Sequence, residues 1–450
     1  MLKKSLEIPD CFYKDKPTLV CPKDPTPTKK LYLSNLDDQK FLRFTIKYLY
    51  LYKRSISAGT LKESLSRVLV DYYPLAGRLR NSEEDVEKLE LDCNGEGAVF
   101  AEAFMDFTAE EFMKVSKWPN RSWRKLLYRV ETQSFLGVPP LVVQVTELRC
   151  GGTIICTAFN HCLCDGIGTS QFLHAWAHQT SNPTNPTDNH LLPPPFHSRH
   201  PLAPRVPPQN SYPHPEYTRP ATPHDLTRAI LSQSLVPTSL TFTSPDLLLL
   251  KRACAPSLKC TSFEALASHV WRAWAKSLGL APSLHVKLLF SVNARARLAP
   301  VLPDGYYGNA FVLACAQATV RELVARNVGE AVRLVKEAKE RVDDEWVRSS
   351  VDLLEVERRR GPDMSASLVI STWSKLGLEE VDFGVGGPMH MGPLASEIYC
   401  LFLPVVGDLN AFTVLMSVPE GVVERFEYYM RDLGCEDGYN DGGVVNGCSI

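Results

Sequence analysis

The segment His161-Cys162-Leu163-Cys164-Asp165-Gly166 contains the residues best suited to chemistry in this chain of 450 residues. It follows a strand-like run and precedes a helical pattern, so the histidine stands where a strand ends. A histidine there can act as a general base near neutral pH. Asp165, followed by Gly166, suggests a tight turn that lets the carboxylate reach inward and fix the backbone beneath the imidazole. The pattern therefore predicts base chemistry centred on His161.

Other interpretations of the same segment are open at this point. Cys162 and Cys164 beside His161 could bind zinc, but no second pair of ligands follows at a suitable spacing, so we predict no metal site. Either cysteine could instead be a nucleophile with ping-pong kinetics, although neither has an independent histidine nearby in sequence. A lone histidine at a strand end can also be an ordinary core residue.

The elements that must position His161 are predicted from periodicity. Residues 141–148 and 153–159 alternate between apolar and polar side chains on either side of Gly151 and Gly152. Two such runs separated by a glycine turn predict a hairpin that delivers the histidine to its position.

The second half of the chain mixes helices and strands in the same way. Thr261 and Glu264 have the spacing of a capping box, which predicts the start of a helix. Residues 288–292 form a strand candidate that ends near Arg295. Because neither half has regular βαβ repetition, we predict an α+β fold built from two-layer sandwiches rather than a doubly wound sheet.

A proline-rich stretch from 181 to 224 is the clearest break in composition. Repeated prolines exclude a helix or a central strand. We therefore predict an N-terminal domain over 1–180, a long crossover linker over 181–224 and a C-terminal domain over 225–450, a division that suits the length of the chain.

Composition restricts the class of protein. With 44% hydrophobic residues, 22% charged residues and a net charge of -2, the chain suits a large enzyme and has no basic run for nucleic acid. The sequence contains no run of about 18 apolar residues, so we expect no transmembrane segment. We also expect no signal peptide, because Glu and Pro rather than an apolar run follow the first residues. The 13 cysteines lie mostly in apolar segments, as buried thiols do. We expect a cytoplasmic monomer.

The HxxxDG spacing and its companions resemble the plant BAHD acyl-CoA-dependent acyltransferases and, more distantly, chloramphenicol acetyltransferases and condensation domains. The resemblance implies two similar chloramphenicol acetyltransferase-like domains with a channel between them. The matching blocks, in chain order, are 72–78 (YYPLAGR), 161–166 (HCLCDG), 261–266 (TSFEAL), 295–298 (RARL), 305–309 (GYYGN), 371–373 (STW) and 382–386 (DFGVG).

The same resemblance implies the reaction. An acyl group would pass from coenzyme A to an alcohol hydroxyl, with His161 as general base and without an acyl-enzyme. The acyl-CoA would be a cosubstrate, and no cofactor would be bound. Asp165 would turn away from the cavity toward Arg295 and would support the site rather than transfer protons, with Gly166 beside it.

Further roles are implied for residues of the later blocks. Ser371, Thr372, Trp373 and Asn309 would line the oxyanion and acceptor pocket, and Lys259 with Ser262 would meet coenzyme A. Asp382, Gly384 and Gly386 would give structural support, with Asp382 tied to an arginine.

One position departs from the family pattern. Val385 stands where the usual DFGWG motif has tryptophan, so any packing or hydrogen bond of the indole is absent. A wax-related branch keeps HxxxD and loses the second motif, and this offers an alternative function: a non-catalytic accessory factor of fatty-acid elongation. Residues 32–37 instead resemble the branch that transfers hydroxycinnamoyl groups to long-chain alcohols or ω-hydroxy acids. Amine acceptors stay open, although no acidic cluster is evident to hold a polyamine.

Overall fold

The structure, a computed structural model, describes residues 7–115, 119, 121–182, 193–219, 226–254, 258–325, 327–358, 360–395 and 399–433. The strands are β1 Phe12–Tyr13, β2 Thr18–Val20, β3 Lys29–Tyr32, β4 Thr45–Tyr52, β5 Arg78–Asn81, β6 Leu89–Cys93, β7 Ala98–Met105, β8 Leu141–Leu148, β9 Thr153–Asn160, β10 Leu235–Phe242, β11 His285–Asn293, β12 Phe311–Thr319, β13 Ser367–Thr372, β14 His390–Pro393, β15 Cys400–Val405 and β16 Asp408–Pro419. The helices are α1 Ala58–Asp71, α2 Ala109–Val115, α3 Gly166–Ser181, α4 Leu226–Leu231, α5 Ser244–Ala253, α6 Ser262–Leu278, α7 Val320–Ala325, α8 Val328–Glu340, α9 Asp344–Val356 and α10 Val423–Arg431.

A seven-stranded sheet forms the first half, in the order β1-β7-β8-β9-β4-β14 with β2 also on β7. The predicted hairpin is confirmed, because β8 pairs antiparallel with β9 around Gly151, whose φ is +81°. The predicted alternation of burial along β9 is wrong: every residue of the strand is buried. Phe159 belongs to the core on one face of the sheet and Ile154 to a second core on the other, so both faces are covered.

A six-stranded sheet forms most of the second half, in the order β10-β16-β15-β13-β11-β12. Its strands are mixed in direction, since β13 runs parallel to β11 and β15 while the other pairs are antiparallel. The predicted capping box is confirmed at α6, where Thr261 accepts from the Glu264 amide and the Glu264 carboxylate accepts from the Thr261 amide.

A smaller sheet, built from residues of the first half, has the order β3-β6-β5. Mixed sheets flanked by helices confirm the α+β class.

One strand of the first sheet comes from the second half of the chain. β14 pairs antiparallel with β4, with His390 opposite Leu51 and Pro393 opposite Tyr48. Strand β14 therefore crosses the boundary predicted at 224. The two halves of the chain are joined through the first sheet as well as through the crossover.

The crossover is bonded to both halves along the part that is described, residues 193–219; 183–192 and 220–225 lie outside it. Within 193–219 the regular structure consists of the short 3₁₀ helix His200–Leu202 and an isolated bridge from Phe196 to Tyr306. The Nε atom of Arg205 lies 2.6 Å from Oδ2 of Asp352 on α9. Ion pairing thus helps to fix a segment that has little regular structure of its own.

Across the described ranges, no helix combines the length and the apolar character needed to cross a bilayer.

Candidate active site

His161 follows directly on β9 and lies where elements of both halves meet. Its amide donates to the carbonyl of Phe44, the residue before β4, at 2.9 Å. Its own carbonyl accepts from Nδ2 of Asn309, just before β12, at 2.7 Å. The side chain is half-buried, and Nδ1 is buried without a hydrogen-bond partner among the described residues. Nε2 is therefore the ring nitrogen available to a substrate.

Two phenylalanines flank the imidazole, one from each half. The ring centroids of Phe44 and Phe311 lie 5.4 Å and 6.1 Å from that of His161. Phe44 is 42% exposed, so its ring presents apolar surface beside the imidazole.

Burial lowers the pKa of His161 below its ordinary value of 6.5, while its own carbonyl, Asp165 and the Asn309 side chain act in the opposite direction. Burial disfavours the charged imidazolium, so the net effect keeps the ring neutral at physiological pH. A neutral imidazole is the form that can accept a proton.

Asp165 does not bond to the His161 ring. Its carboxylate forms a buried ion pair with Arg295, the contact expected from the resemblance. The two guanidinium nitrogens lie 2.7 Å and 3.0 Å from the two carboxylate oxygens. The carboxylate also accepts from the amides of Gly168 and Ala310, each at 3.0 Å. Burial raises the pKa of Asp165, but Arg295 and these amides outweigh it and hold the pKa below its usual range. With every oxygen already used, Asp165 supports the loop.

Gly166 was predicted to form a tight turn, and the structure gives it another role. Asp165 is the N-cap of α3 and Gly166 is the first residue of that helix. A Cβ atom on Gly166 would lie 2.7 Å from Cδ1 of Leu376, so a larger residue here would require that side chain to shift.

The two cysteines of the loop are buried and bonded to protein groups. The Cys162 thiol lies 3.5 Å from the carbonyl of Leu42, and the Cys164 thiol accepts from the Tyr307 hydroxyl at 3.4 Å. Burial raises the pKa of Cys162 and raises that of Cys164 to about 11. Since a thiolate is the reactive form, neither is suited to nucleophilic catalysis. Within the described ranges, no group of three or more potential ligands could hold a metal ion.

Asn309 was predicted to line the oxyanion and acceptor pocket, and the structure contradicts this. The residue is fully buried and lies behind His161, bonded to the His161 carbonyl and to Asp37. A side chain enclosed in this way holds the loop and has no surface to offer a substrate.

Sequence analysis missed Asp37 and Arg199, which form a fully buried ion pair beneath the same loop, with Nε 3.2 Å from Oδ2. Asp37 belongs to the segment 32–37, which was considered only for substrate preference. Arg199 lies in the proline-rich crossover, which was predicted to be a spacer. That stretch also contains Arg205 and Arg219, so nothing in the sequence singled out Arg199.

The STW segment lies at the end of β13, next to β15. Ser371 and Thr372 are half-buried, and the Thr372 hydroxyl shares a hydrogen bond of 2.9 Å with Ser374. Trp373 is buried, with its ring centroid 4.6 Å from that of Tyr48 on β4. The indole thus contacts the first sheet across the boundary between the halves, while a role in binding the oxyanion or the acceptor stays a prediction.

The residues predicted to meet coenzyme A lie at the start of α6. Lys259 is exposed and Ser262 is half-buried at the first turn. The exposed side chain of Lys259 is accessible to a phosphate group. Its contact with coenzyme A stays a prediction.

The DFGVG segment is a backbone turn closed by one carboxylate. Oδ1 of Asp382 accepts from the amides of Gly384, Val385 and Gly386 at 2.8–2.9 Å. The prediction that Asp382 binds an arginine is wrong for the described residues, because these amides take that place. Gly384 and Gly386 have φ of +91° and +94°, which explains both glycines. Val385 packs against the core that contains Phe159. The turn closes without an indole.

A cavity of about 830 Å³ opens at the surface between the Asp85 region and residues 355–361. Its lining does not include His161. The channel expected beside the base therefore stays a prediction.

Comparison with known proteins gives a family and close relatives. The sequence model of the family described as "Transferase family" matches residues 14–433. The chain is 36% identical over 425 residues to a fatty alcohol:caffeoyl-CoA acyltransferase of Arabidopsis thaliana, covering 92% of this chain and 97% of the relative. It is 34% identical over 429 residues to an omega-hydroxypalmitate O-feruloyl transferase of the same plant, covering 92% of each.

The fold also has relatives among solved structures. The crystal structure of vinorine synthase superimposes with a TM-score of 0.69 at 20% identity, covering 91% of this chain and 95% of that one. At that identity the likeness supports the two-domain, chloramphenicol acetyltransferase-like fold.

Proposed function

Since this chain belongs to the BAHD acyltransferases within that transferase family, we propose that it esterifies a long-chain alcohol or ω-hydroxy fatty acid with a hydroxycinnamoyl group. The class of reaction, acyl transfer from acyl-CoA to a hydroxyl, follows from the family. One observation supports His161 as the base of this reaction. Its imidazole is half-buried and neutral, and it lies where the two halves meet.

The proposed chemistry balances with one base. The acceptor hydroxyl gives its proton to Nε2 of His161 as its oxygen attacks the thioester carbonyl. The tetrahedral intermediate collapses, the carbon–sulfur bond breaks, and the thiolate of coenzyme A leaves and can take the proton from the imidazolium. No acyl-enzyme forms, in agreement with the inert thiols of Cys162 and Cys164.

The substrate class rests on the two relatives and on Phe44. Those relatives are named for caffeoyl and feruloyl donors and for fatty alcohol and ω-hydroxypalmitate acceptors. A planar aromatic acyl group could lie against the exposed ring of Phe44, beside the base. An aromatic pair of this kind is worth about 0.5–1.5 kcal/mol beyond the burial of area.

The pH dependence of kcat/KM reports the pKa of His161 in the free enzyme. Because the pKa of the half-buried imidazole lies below 6.5 and its neutral form is the active one, kcat/KM should rise with pH and reach its plateau at a lower pH than an exposed histidine would give. Initial rates across pH, with a stability check at each value, measure this. A midpoint at or above 6.5 would contradict the buried base.

The proposed substrates are tested by a screen. Coumaroyl-, caffeoyl-, feruloyl-, benzoyl- and acetyl-CoA are offered with 1-alkanols, ω-hydroxy acids, benzyl alcohol and a polyamine, and the product is identified by mass. Phe44→Leu should lower kcat/KM for feruloyl-CoA relative to acetyl-CoA by about 2- to 12-fold, the energy of one aromatic contact. Phe12→Leu, which changes an exposed ring on β1, four strands away from β4 in the sheet, is the control. Turnover confined to benzyl alcohol or to the amine would reject the proposed acceptor.

The alternative of a non-catalytic accessory factor is not supported. The relatives described above carry acyltransferase names, and the DFGVG turn is closed without the missing tryptophan. We also propose that the protein acts as a cytoplasmic monomer. The described cysteines are free thiols, most of them buried, which suits a reducing compartment.

A further inference from the structure

Two backbone carbonyls of the HxxxD loop are held by one buried carboxylate acting through two side chains. Asn309 donates to the carbonyl of His161 at 2.7 Å, and Arg199 donates to the carbonyl of Leu163 at 3.0 Å. Both donors are bonded to Asp37, which is fully buried. These contacts are separate from the Asp165–Arg295 pair, which holds the other end of the loop.

The Asp37 carboxylate is saturated by donors. Oδ1 accepts from the amide and from Nδ2 of Asn309 at 2.8 Å and 3.0 Å. Oδ2 accepts from Nε of Arg199 at 3.2 Å and from the hydroxyl and amide of Ser34 at 2.6 Å and 3.1 Å. A carboxylate with so many donors has a fixed orientation, and it therefore fixes the groups bonded to it.

The guanidinium of Arg199 is as tightly enclosed as its partner. It has no exposed surface, and its third bond is to the carbonyl of His197 at 2.7 Å. It crosses directly over Gly308, where a Cβ atom would lie 2.7 Å from Nε. The second glycine of the GYYGN block, Gly308, thus makes room for an arginine from the crossover.

We propose that Asp37 and Arg199 are positioning residues for His161, holding the carbonyls of His161 and Leu163 so that the imidazole keeps its place between the halves. A buried ion pair stabilises a fold little, because desolvation of both charges offsets their attraction. Its value here lies in fixing geometry, since displacement of a reacting group by about 1 Å costs up to about 100-fold in rate. The inference rests on the proposed function of His161 as base.

Arg199→Lys tests the inference. Lysine keeps the charge beside Asp37 but lacks the planar fork that reaches the Leu163 carbonyl as well. We expect kcat to fall by about 10- to 100-fold with KM for acyl-CoA little changed. The midpoint of the pH profile of kcat/KM should rise toward 6.5, because a loosened ring gains water. A purely structural defect would lower the amount of active enzyme and leave that midpoint in place.

Arg205→Lys is the matched control, since Arg205 also ties the crossover through a buried aspartate, Asp352, but touches no part of the loop. If both lysine variants fold and give the same kcat and pH midpoint, the inference is overturned. Should Arg199→Lys fail to fold, Ser34→Ala removes one 2.6 Å bond to Asp37 and should shift both quantities in the same direction; no shift would reject the inference. His161→Ala in parallel separates the two claims: an inactive alanine variant beside a normal Arg199→Lys rejects only the positioning role, whereas an active one rejects the base.

Discussion

Replacing His161 by alanine is expected to lower kcat by about 100- to 10,000-fold, the range that a general base contributes. The loss follows from geometry, because Nε2 is the ring nitrogen available to the hydroxyl and no second histidine contacts the ring in the described part of the chain. Release of coenzyme A under saturating donor and acceptor measures the effect. KM for acyl-CoA should change little, since a general base acts on the acceptor hydroxyl rather than on the thioester.

Two controls make that result specific. His285→Ala removes an exposed histidine at the start of β11 and should retain full turnover. Cys162→Ala and Cys164→Ala should also stay active and show no burst of acyl-enzyme, because both thiols are buried and protonated. A folded His161→Ala protein with turnover within tenfold of the parent would remove this residue from the chemistry.

Replacing Asp165 by asparagine is expected to lower the free energy of unfolding by about 3–5 kcal/mol, the cost of leaving one partner of a buried ion pair unmatched. Arg295 is only 16% exposed and points its fork at this carboxylate and at the carbonyls of Tyr306 and Gly308. Urea denaturation of the purified protein measures the change. Adding Arg295→Met to the variant should recover part of the loss, since it removes the stranded charge.

The matched control is Asp106→Asn, which breaks a 3.0 Å pair with Arg149 on the surface, where the side chains are 63% and 50% exposed. An exposed pair is worth about 0–1 kcal/mol, so this variant should unfold nearly as the parent does. Equal stabilities of the two asparagine variants would show that the Asp165–Arg295 pair has no special weight.

The pH dependence of stability has a definite sign at Asp165. Its pKa is lower in the folded state than the ordinary 3.8, so its contribution is complete above that value and is lost as the pH falls through the lower folded pKa. Acid unfolding of the parent should therefore be steeper below pH 3.8 than that of Asp165→Asn.

Much of the local structure could be predicted from sequence. The hairpin β8–β9 was readable from two apolar runs and a glycine turn, and α6 from the pair Thr261 and Glu264. The family motifs identified His161 and the Asp165–Arg295 contact. These features depend on residues close in sequence or on motifs whose pattern is specific.

The rest depends on contacts between distant segments, which periodicity does not report. Asp37 lies 162 positions from Arg199 and 272 from Asn309, and nothing in composition links them. The burial of Asn309 follows from those contacts, so its assignment to the acceptor pocket was wrong. The alternation expected of β9 failed because a second core covers the other face of its sheet.

The pairing of β14 with β4 has a consequence for how the chain is made. A ribosome releases β4 long before residues 390–393 emerge, so during synthesis the edge of the nascent sheet is an apolar strand without its last neighbour. Unpaired edges of that kind invite intermolecular association. Synthesis of the first 224 residues alone would leave the edge permanently open, and the two halves are therefore poor candidates for separate expression.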